Sequence, residues 1–353
     1  MAKQTKQKHQ QNSRTLNGVT TIGLDIGYGV TKAVTNEAAL TFPSVMGHAR
    51  EIKFQQDTIQ QKYPGDQLTD NDGSTWFVGD LALAQLPPGE LLRLRGRTAN
   101  EQTMGNAFRL RLAKAAIGKL AQGVWGRDVI HLRLSTGLPV DHMRDADELK
   151  AALLGQHLIK TDSCEVIANV TDVIIMPQPY GSAYSQMLTP TGEINVYHTA
   201  MRTGVVDVGT YTVDIALDDD GEFVDAESGS VESGVYTAQE RISAMLERDY
   251  REKMPHKIIE QVLRTGIFSA SGKPIDYSVE VEEALLPLRS ATINLMSEKW
   301  QRGTTVDVIY LSGGGAELVY EQDGLLYGRR QPGRVRPGNC CLVVAAPFRG
   351  RLL

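Results

Sequence analysis

Hydrophobic and polar residues follow a pattern that divides the chain into two halves with similar beginnings. Residues 23–32 and 205–214 each contain an apolar run, an Asp-x-Gly turn and a second apolar or β-branched run. This order predicts a strand, a tight turn and a second strand in each half. A third apolar run at 306–311 leads into Gly313-Gly-Gly315, which predicts a strand, a glycine turn and a helix. The pattern is typical of a duplicated fold.

The rest of the chain adds helices and strands to both halves. An apolar residue recurs at every fourth position of 101–122, which predicts a helix with one apolar face; these residues are Met104, Phe108, Leu112, Ala116 and Leu120. Further helices are predicted over 145–157, 181–187, 236–253 and 279–299. Strands are predicted over 40–44, 129–138 and 172–176, with a strand entering a helix at 76–82 and an irregular polar segment at 48–74. Strands followed by helices in each half predict an α/β fold.

The two ends of the chain differ in composition from the middle. Residues 1–18 are polar and carry Lys3, Lys6, Lys8 and Arg14 without an acid, which predicts a disordered basic arm. Residues 328–353 contain six arginines, four glycines, three prolines and no acid, a composition that disfavours a helix. We therefore predict a basic arm at 1–18, a first domain at 19–178, a second at 179–327 and an atypical tail at 328–353.

Length, charge and cysteine content limit the class of protein. A chain of 353 residues has room for about two domains of roughly 150 residues each. The net charge of −5 gives no reason to expect direct DNA binding. No apolar stretch approaches the roughly 20 residues of a membrane-spanning helix, and the polar N-terminus does not predict a signal peptide or membrane binding. The three cysteines, Cys164, Cys340 and Cys341, indicate no disulfide framework, so we expect a cytoplasmic protein.

The glycine turns carry the candidate chemistry. A polyphosphate needs backbone N–H donors and close approach of the chain, and glycine permits both because it lacks a Cβ and adopts positive φ freely. Gly27 and Gly29 are predicted to surround a β-phosphate, with the Lys32 ammonium beside it. The second turn is predicted to hold the γ-phosphate through Gly209, Thr210 and Thr212. The third turn, Gly313-Gly-Gly315 at a helix start, suits the α-phosphate and sugar.

Two acids and one amide complete the predicted site. Asp25 and Asp207 stand one in each half, and Mg²⁺ is usually held by one or two carboxylates together with phosphates and water. Gln178, between Pro177 and Pro179, is a candidate for orienting the attacking water; the alternative is a turn glutamine without a role. The chain has no G-x-x-x-x-G-K-[ST] motif and no G-x-G-x-x-G after a strand, which excludes a P-loop and a dinucleotide fingerprint.

In combination, these motifs resemble the superfamily of actin, Hsp70 and sugar kinases. Residues 25–32 resemble its first phosphate loop, 207–210 its second, and 313–315 its adenosine loop. Four further motifs make the chain similar to prokaryotic actin-like proteins of the ParM and archaeal type: Phe42-Pro-Ser44, Phe77-Val-Gly-Asp-Leu-Ala82, Gly137-Leu-Pro-Val140 and Pro177-Gln-Pro-Tyr-Gly181. The likeness covers about residues 19–320.

The resemblance implies an actin-like fold, with two duplicated RNase H-like lobes around a central nucleotide cleft. It also implies a slow Mg²⁺-dependent ATPase that forms filaments with ATP and disassembles after hydrolysis. In ParM-type systems such filaments separate plasmids through a DNA-bound adaptor, so the expected partners are further copies of the chain and an adaptor protein. By match to the family motifs, Gln178 and Asp207 are the implied catalytic residues, and the implied nucleotide-binding residues extend to Tyr28, Gly234 and Glu240.

Two alternatives and one departure remain at this point. A small-molecule kinase of the same superfamily would need a catalytic carboxylate near a sugar pocket, and we find no convincing candidate. A cytoskeletal ATPase without a role in segregation is the second alternative. Relatives usually end in an aromatic and alanine-rich helix that packs on the first lobe, whereas residues 328–353 do not fit one. The segment is either a divergent tail or an altered end, and we favour the altered end. An altered end would leave the first lobe without its closing helix and would reduce stability or polymerisation. The motifs are compatible with both ATP and GTP.

Overall fold

The computed structural model describes residues 19–54, 56–94, 101–125, 128–188, 193, 202–270, 272–300, 306–319 and 342–345. The predicted basic arm at 1–18 lies outside the described residues, as does most of the predicted tail at 328–353. Within the described part of the chain, no helix is long and apolar enough to cross a membrane.

The described strands and helices alternate along the chain as an α/β fold requires. The strands are β1 Val19–Ile26, β2 Val30–Val34, β3 Ala39–Pro43, β4 Met46–His48, β5 Gln67–Thr69, β6 Thr75–Val78, β7 Asp128–Leu138, β8 Gly155–Thr161, β9 Glu165–Pro177, β10 Thr203–Val208, β11 Val213–Asp219, β12 Glu222–Phe223, β13 Gly229–Val231, β14 Ile267–Ala270, β15 Lys273–Asp276, β16 Val308–Ser312 and β17 Leu342–Ala345. The helices are α1 Gln56–Lys62, α2 Gly79–Gln85, α3 Glu101–Leu120, α4 Ala146–Leu153, α5 Gln178–Met187, α6 Val235–Tyr250, α7 His256–Thr265, α8 Ser278–Lys299 and α9 Ala316–Val319.

The first half of the chain forms one mixed sheet, here called lobe I together with α1–α4. Its strand order is β3-β2-β1-β7-β9-β8-β5-β6-β4. β1 pairs antiparallel with β2 and parallel with β7, so the predicted hairpin at 23–32 is confirmed. Alternate residues of β1 are buried, namely Ile22, Leu24 and Ile26, which directs one face of the strand into the core.

The second half, here called lobe II, repeats the centre of this arrangement. Its sheet has the order β12-β11-β10-β16-β17, with β13 also paired to β11. β10 pairs antiparallel with β11 and parallel with β16, as β1 does with β2 and β7. The register is also the same: Asp25 lies opposite Lys32, and Asp207 lies opposite Asp214. The predicted duplication is therefore present down to the pairing of individual residues.

Each lobe has its own hydrophobic core. In lobe I the core side of α3 includes Phe108, Leu112 and Ala116, as the four-residue spacing predicts, but Ala113 and Ile117 are buried too. α3 is therefore enclosed on more than the one predicted face. In lobe II the core lies between the sheet and helices α6, α7 and α8, and Trp300 at the end of α8 is fully buried.

Two predictions for lobe I were wrong. The helix predicted over 145–157 ends at Leu153, because Gly155 has a φ of +101° and begins β8. The segment 48–74 is not irregular, since it contains α1 and β5. Residues 172–176 form only the end of the longer strand β9. In the predicted tail, the described strand β17 pairs antiparallel with β16 in the lobe II sheet.

A buried ion pair fixes the β4–β6 region to the rest of lobe I. Asp66 precedes β5 and is 2% exposed; its carboxylate pairs with the Lys119 ammonium on α3 and accepts the Leu81 amide of α2 at 3.0 Å. Burial raises the pKa of Asp66, and the Lys119 charge opposes that rise. The pair thus connects a strand, a long helix and the first turn of a short helix.

Lys119→Met should lower the free energy of unfolding by about 3 kcal/mol, because the buried Asp66 carboxyl would lose its charged partner. Urea denaturation at pH 7 measures the loss. Lys160→Met is the matched control, because Lys160 is 52% exposed in its pair with Glu165 and such pairs contribute about 1 kcal/mol or less. Equal losses in the two variants would show that the Asp66–Lys119 pair does not hold the lobe together.

Candidate functional site

The β1–β2 hairpin of lobe I carries a carboxylate and an ammonium side by side. Asp25 near the end of β1 lies opposite Lys32 of β2, and the Lys32 Nζ is 3.2 Å from the Asp25 Oδ2. Both side chains are partly exposed, at 57% for Lys32 and 43% for Asp25. A pair this exposed is weak, contributing about 1 kcal/mol or less, so Lys32 can turn to another anion at little cost.

Gln178 meets the same carboxylate from the opposite side. It is the first residue of α5, and its Nε2 donates to the Asp25 Oδ1 at 3.0 Å. Gly137 near the end of β7 makes this position possible, since a Cβ there would lie 2.9 Å from the Gln178 Cγ. Asp25, Lys32 and Gln178 therefore form one hydrogen-bonded group, which joins the lobe I hairpin to the start of α5.

Asp207 occupies the corresponding place on lobe II. It is on β10, opposite Asp214 of β11 and beside Ser312 of β16, whose hydroxyl donates to the Asp207 Oδ1 at 3.0 Å. Burial of the carboxyl, together with the nearby charges of Asp214 and Asp25, raises the pKa of Asp207 to about 7. The Asp25 charge contributes because the two hairpins face each other across the cleft between the lobes.

Asp214 links the two lobes directly. This residue is 2% exposed, and its carboxyl accepts bonds from the Thr212 hydroxyl at 2.8 Å, from the Ser230 hydroxyl, and from the Val140 amide of lobe I at 3.2 Å. Burial raises the pKa of Asp214, and the hydroxyl and amide donors oppose that rise. The Thr212 hydroxyl is thus engaged within lobe II.

The third glycine turn packs directly beneath Asp207. Gly313 has a φ of +90°, and a Cβ there would lie 2.6 Å from the Asp207 Oδ1. The Gly315 amide donates to the Val208 carbonyl at 3.0 Å, whereas Gly314 has open space beside its Cα. The open space at this turn therefore lies beside Gly314.

The structure brings most of the predicted site residues together, but not all of them equally. Gly234 stands at the start of α6, where a Cβ would clash with the Thr210 backbone, so it belongs to the second turn. Glu240 lies exposed on α6, and the described contacts do not connect it to the hairpins. Sequence reasoning missed Ser312 and Asp214. The seven-residue spacing from Asp25 to Lys32, repeated from Asp207, was the available signal for Asp214.

The side chains at the cleft suit a hydrated divalent cation bound together with a polyphosphate better than a metal ion held by protein ligands alone. The described residues include no group of three His, Cys, Asp or Glu side chains that could hold a metal ion. Two carboxylates, one from each hairpin, meet the requirement of Mg²⁺, which keeps most of its waters and shares phosphate oxygens. Glycine turns allow close approach of a phosphate, and the Lys32 ammonium supplies positive charge beside Asp25.

A two-lobed protein with matched hairpins around such a cleft is an actin-fold protein, and comparison with known families agrees. Residues 23–181 match the model described as the N-terminal domain of actin-like proteins. Residues 205–322 match the model described as the C-terminal domain of the archaeal actin homologue, MreB-like. Together the matches cover more than three quarters of the chain, which belongs to the actin-like proteins. A search of curated protein sequences finds no match.

Solved structures show the same fold at low sequence identity. A subunit of a 15-stranded ParM filament from Clostridium botulinum is 20% identical with a TM-score of 0.68, and the alignment covers 86% of this chain and 90% of that one. The archaeal actin homologue Ta0583 is 19% identical with a TM-score of 0.67, covering 85% and 89%. A non-polymerisable quadruple mutant of pCBH ParM is 20% identical with a TM-score of 0.63, covering 86% and 91%. The predicted actin-like fold is confirmed.

Binding of Mg²⁺–ADP should weaken as the pH falls from 8 to 6. The Asp207 carboxyl, with a pKa of about 7, is mostly ionised at pH 8 and mostly protonated at pH 6 in the ligand-free protein. If binding requires the carboxylate, the apparent Kd rises about tenfold over this range. Isothermal titration calorimetry at several pH values measures the slope. Asp207→Asn should flatten it, and the same slope in that variant would remove Asp207 from the site.

The raised pKa of Asp207 also makes the free energy of unfolding of the ligand-free protein depend on pH. Because the folded pKa of Asp207 lies above its ordinary value of 3.8, the residue contributes stability that is fully present below pH 3.8 and is lost as the pH rises through about 7. A bound cation next to the carboxylate would restore that loss. The thermal shift caused by Mg²⁺–ADP should therefore be larger at pH 8 than at pH 6.

Proposed function

We propose that this chain is a Mg²⁺-dependent ATPase that assembles into filaments with ATP and releases subunits after hydrolysis. The observation that carries the proposal is the arrangement of Asp25 and Lys32 on one hairpin, with Gln178 of α5 bonded to Asp25, opposite Asp207 on the other hairpin. The cleft between them offers two carboxylates for a hydrated cation, one ammonium for phosphate and one amide for water. Phosphoryl transfer relies on this kind of positioning and charge stabilisation.

In the proposed complex, each glycine turn contacts a different phosphate of the nucleotide. Gly27, Tyr28, Gly29 and Lys32 face the β-phosphate, and Gly209 and Thr210 face the γ-phosphate. Gly313, Gly314 and Gly315 lie against the α-phosphate and sugar, with Gly234 and Glu240 towards the ribose and base. Asp25 and Asp207 hold Mg²⁺ through water, and the cation offsets the phosphate charge. Among the structural neighbours, Ta0583 was solved with ADP and a ParM from Bacillus thuringiensis with AMPPNP, which supports a nucleotide ligand.

Gln178 is the proposed water-positioning residue. Its amide nitrogen is engaged by the Asp25 Oδ1, which fixes the plane of the amide. The carbonyl oxygen of the same amide then has a defined direction from which to accept a hydrogen bond from water. A glutamine in this role orients the water without taking its proton, which agrees with slow hydrolysis.

Filament formation and a role in moving DNA follow from the family as proposals. One structural neighbour is a ParM filament and another is a ParM described as a non-polymerisable mutant, so self-association is a property of this group. We propose that the filament of this chain segregates plasmid DNA in the cytoplasm through a DNA-bound adaptor. The net charge of −5 favours an adaptor over direct DNA contact.

The purified protein should pellet with Mg²⁺–ATP, remain in the supernatant with Mg²⁺–ADP, and lose polymer as phosphate appears. Light scattering and a phosphate assay follow both events in one sample. Asp207→Ala should abolish phosphate release while the fold is retained, and Asp172→Ala, an exposed acid on β9, should behave as wild type. Tight ATP binding without polymer would contradict the filament proposal and retain the nucleotide site.

Gln178→Ala should slow hydrolysis roughly a hundredfold and change ATP affinity much less, because the water loses its orientation and the phosphate contacts remain. Filaments of the variant should therefore persist longer after a pulse of ATP. Single-turnover phosphate release and pelleting measure the two effects, with exposed Gln156→Ala as the control. A variant that hydrolyses and disassembles at the wild-type rate would exclude Gln178 from the reaction.

A further inference from the structure

Side chains of the β1–β2 turn and the β10–β11 turn contact each other across the cleft. The ring of Tyr28, in the β1–β2 turn, stands edge-on to the ring of Tyr211 in the β10–β11 turn, with centroids 5.5 Å apart and planes at 89°. Tyr211 also packs against Tyr236 of α6 at 4.7 Å. We call Tyr28, Tyr211 and Tyr236 the tyrosine bridge. It joins lobe I to lobe II at the turns themselves.

Both ends of the tyrosine bridge are anchored in their own lobe. Tyr28 packs against the lobe I core, and the Arg109 guanidinium of α3 lies close enough to interact with it electrostatically. Tyr236 lies in the first turn of α6, and its amide donates to the Thr210 carbonyl at 2.8 Å. Since neither end can slide along its own lobe, separating Tyr28 from Tyr211 requires the lobes themselves to move.

The Thr210 side chain brings the second turn against the backbone of the first at Gly29. A Cβ on Gly29 would clash with the Thr210 hydroxyl and would lie 3.5 Å from the Thr210 Cβ. Close approach of Thr210 therefore requires glycine at position 29, and a phosphate contact would be a second reason for it. The space between the turns is occupied by the protein's own side chains in this conformation.

We infer that the tyrosine bridge is a gate over the phosphate end of the cleft, and that its opening limits nucleotide exchange. This inference rests on the proposed function, because only a ligand lying between the turns would need them to part. Edge-to-face aromatic pairs contribute modestly, so breaking the Tyr28–Tyr211 contact is compatible with exchange on the timescale of a filament cycle. The gate makes exchange slower than diffusion of the nucleotide alone.

The first test measures release of a fluorescent ADP analogue in the presence of Mg²⁺. Tyr211→Ala should speed release about two- to tenfold, as expected for loss of the one aromatic contact that joins the two turns; its contact with Tyr236 lies within lobe II. Tyr184→Ala is the matched control, because Tyr184 makes a similar edge-on pair with Tyr180 at 5.4 Å but within helix α5. Release that is unchanged or slower in Tyr211→Ala would overturn the gate.

The second test fixes the gate covalently. The Cβ separation of 3.5 Å between positions 29 and 210 falls within the range of disulfides. The double variant Gly29→Cys and Thr210→Cys, in a chain that also carries Cys340→Ser and Cys341→Ser, should cross-link readily without nucleotide. Cross-linking should abolish uptake of Mg²⁺–AMPPNP relative to the same double variant kept reduced, and that reduced variant, compared with the wild-type chain, measures the effect of replacing Gly29 and Thr210 themselves. Mg²⁺–AMPPNP bound beforehand should slow cross-linking several-fold.

The two tests separate failure of the gate from failure of the proposed function. Wild-type protein that binds no nucleotide would refute the proposed function, yet rapid cross-linking would still establish contact between the turns. Nucleotide binding with equal cross-linking rates in bound and ligand-free protein would refute the gate alone. The absence of cross-linking in the ligand-free protein would also refute it, because positions 29 and 210 would then not meet.

Discussion

The equal register of two β-hairpins is the constraint on which the rest of the structure depends. In each hairpin an aspartate lies opposite the residue seven positions later. A third strand pairs in parallel with the first strand of each hairpin and fixes the register of that strand in its sheet. Because side chains alternate between the faces of a strand, a shift of one residue in either hairpin would turn its aspartate to the other face. Both Asp25 and Asp207 reach the cleft because neither register slips.

The lobes share this geometry but differ in charge. The residue opposite Asp25 is Lys32, whereas the residue opposite Asp207 is the buried acid Asp214. The cleft thus gathers three carboxyls around one described ammonium. Burial of Asp207, together with the charges of the other two carboxyls, raises its pKa to about 7. A hydrated divalent cation would relieve this repulsion, so the same charges that disfavour the empty site favour the occupied one. Asp214 also accepts the Val140 amide, so the contact between the lobes adjoins the site.

The features that could be predicted from the sequence are local. Both hairpins and the glycine turn follow from apolar runs around Asp-x-Gly and Gly-Gly-Gly, and the family resemblance follows from their order. Strand β8 was not predicted, because the expected helix continues to His157 across Gly155, whose positive φ marks the end of α4 and the start of β8. The bonds from Ser312 to Asp207 and from Val140 to Asp214 join residues 105 and 74 positions apart; the first forms when the lobe II sheet assembles, and the second when the two lobes pack. The contact between Tyr28 and Tyr211 in the tyrosine bridge also forms only when the two lobes pack.

The central claim is that the matched hairpins form one Mg²⁺–nucleotide site between the lobes. The most direct test is calorimetric titration of the wild-type chain with AMPPNP, with and without Mg²⁺, at pH 8. The account predicts one site per chain and binding that depends strongly on Mg²⁺. Absence of binding, or equal binding without Mg²⁺, would contradict it, because the two carboxylates would then have no cation to share.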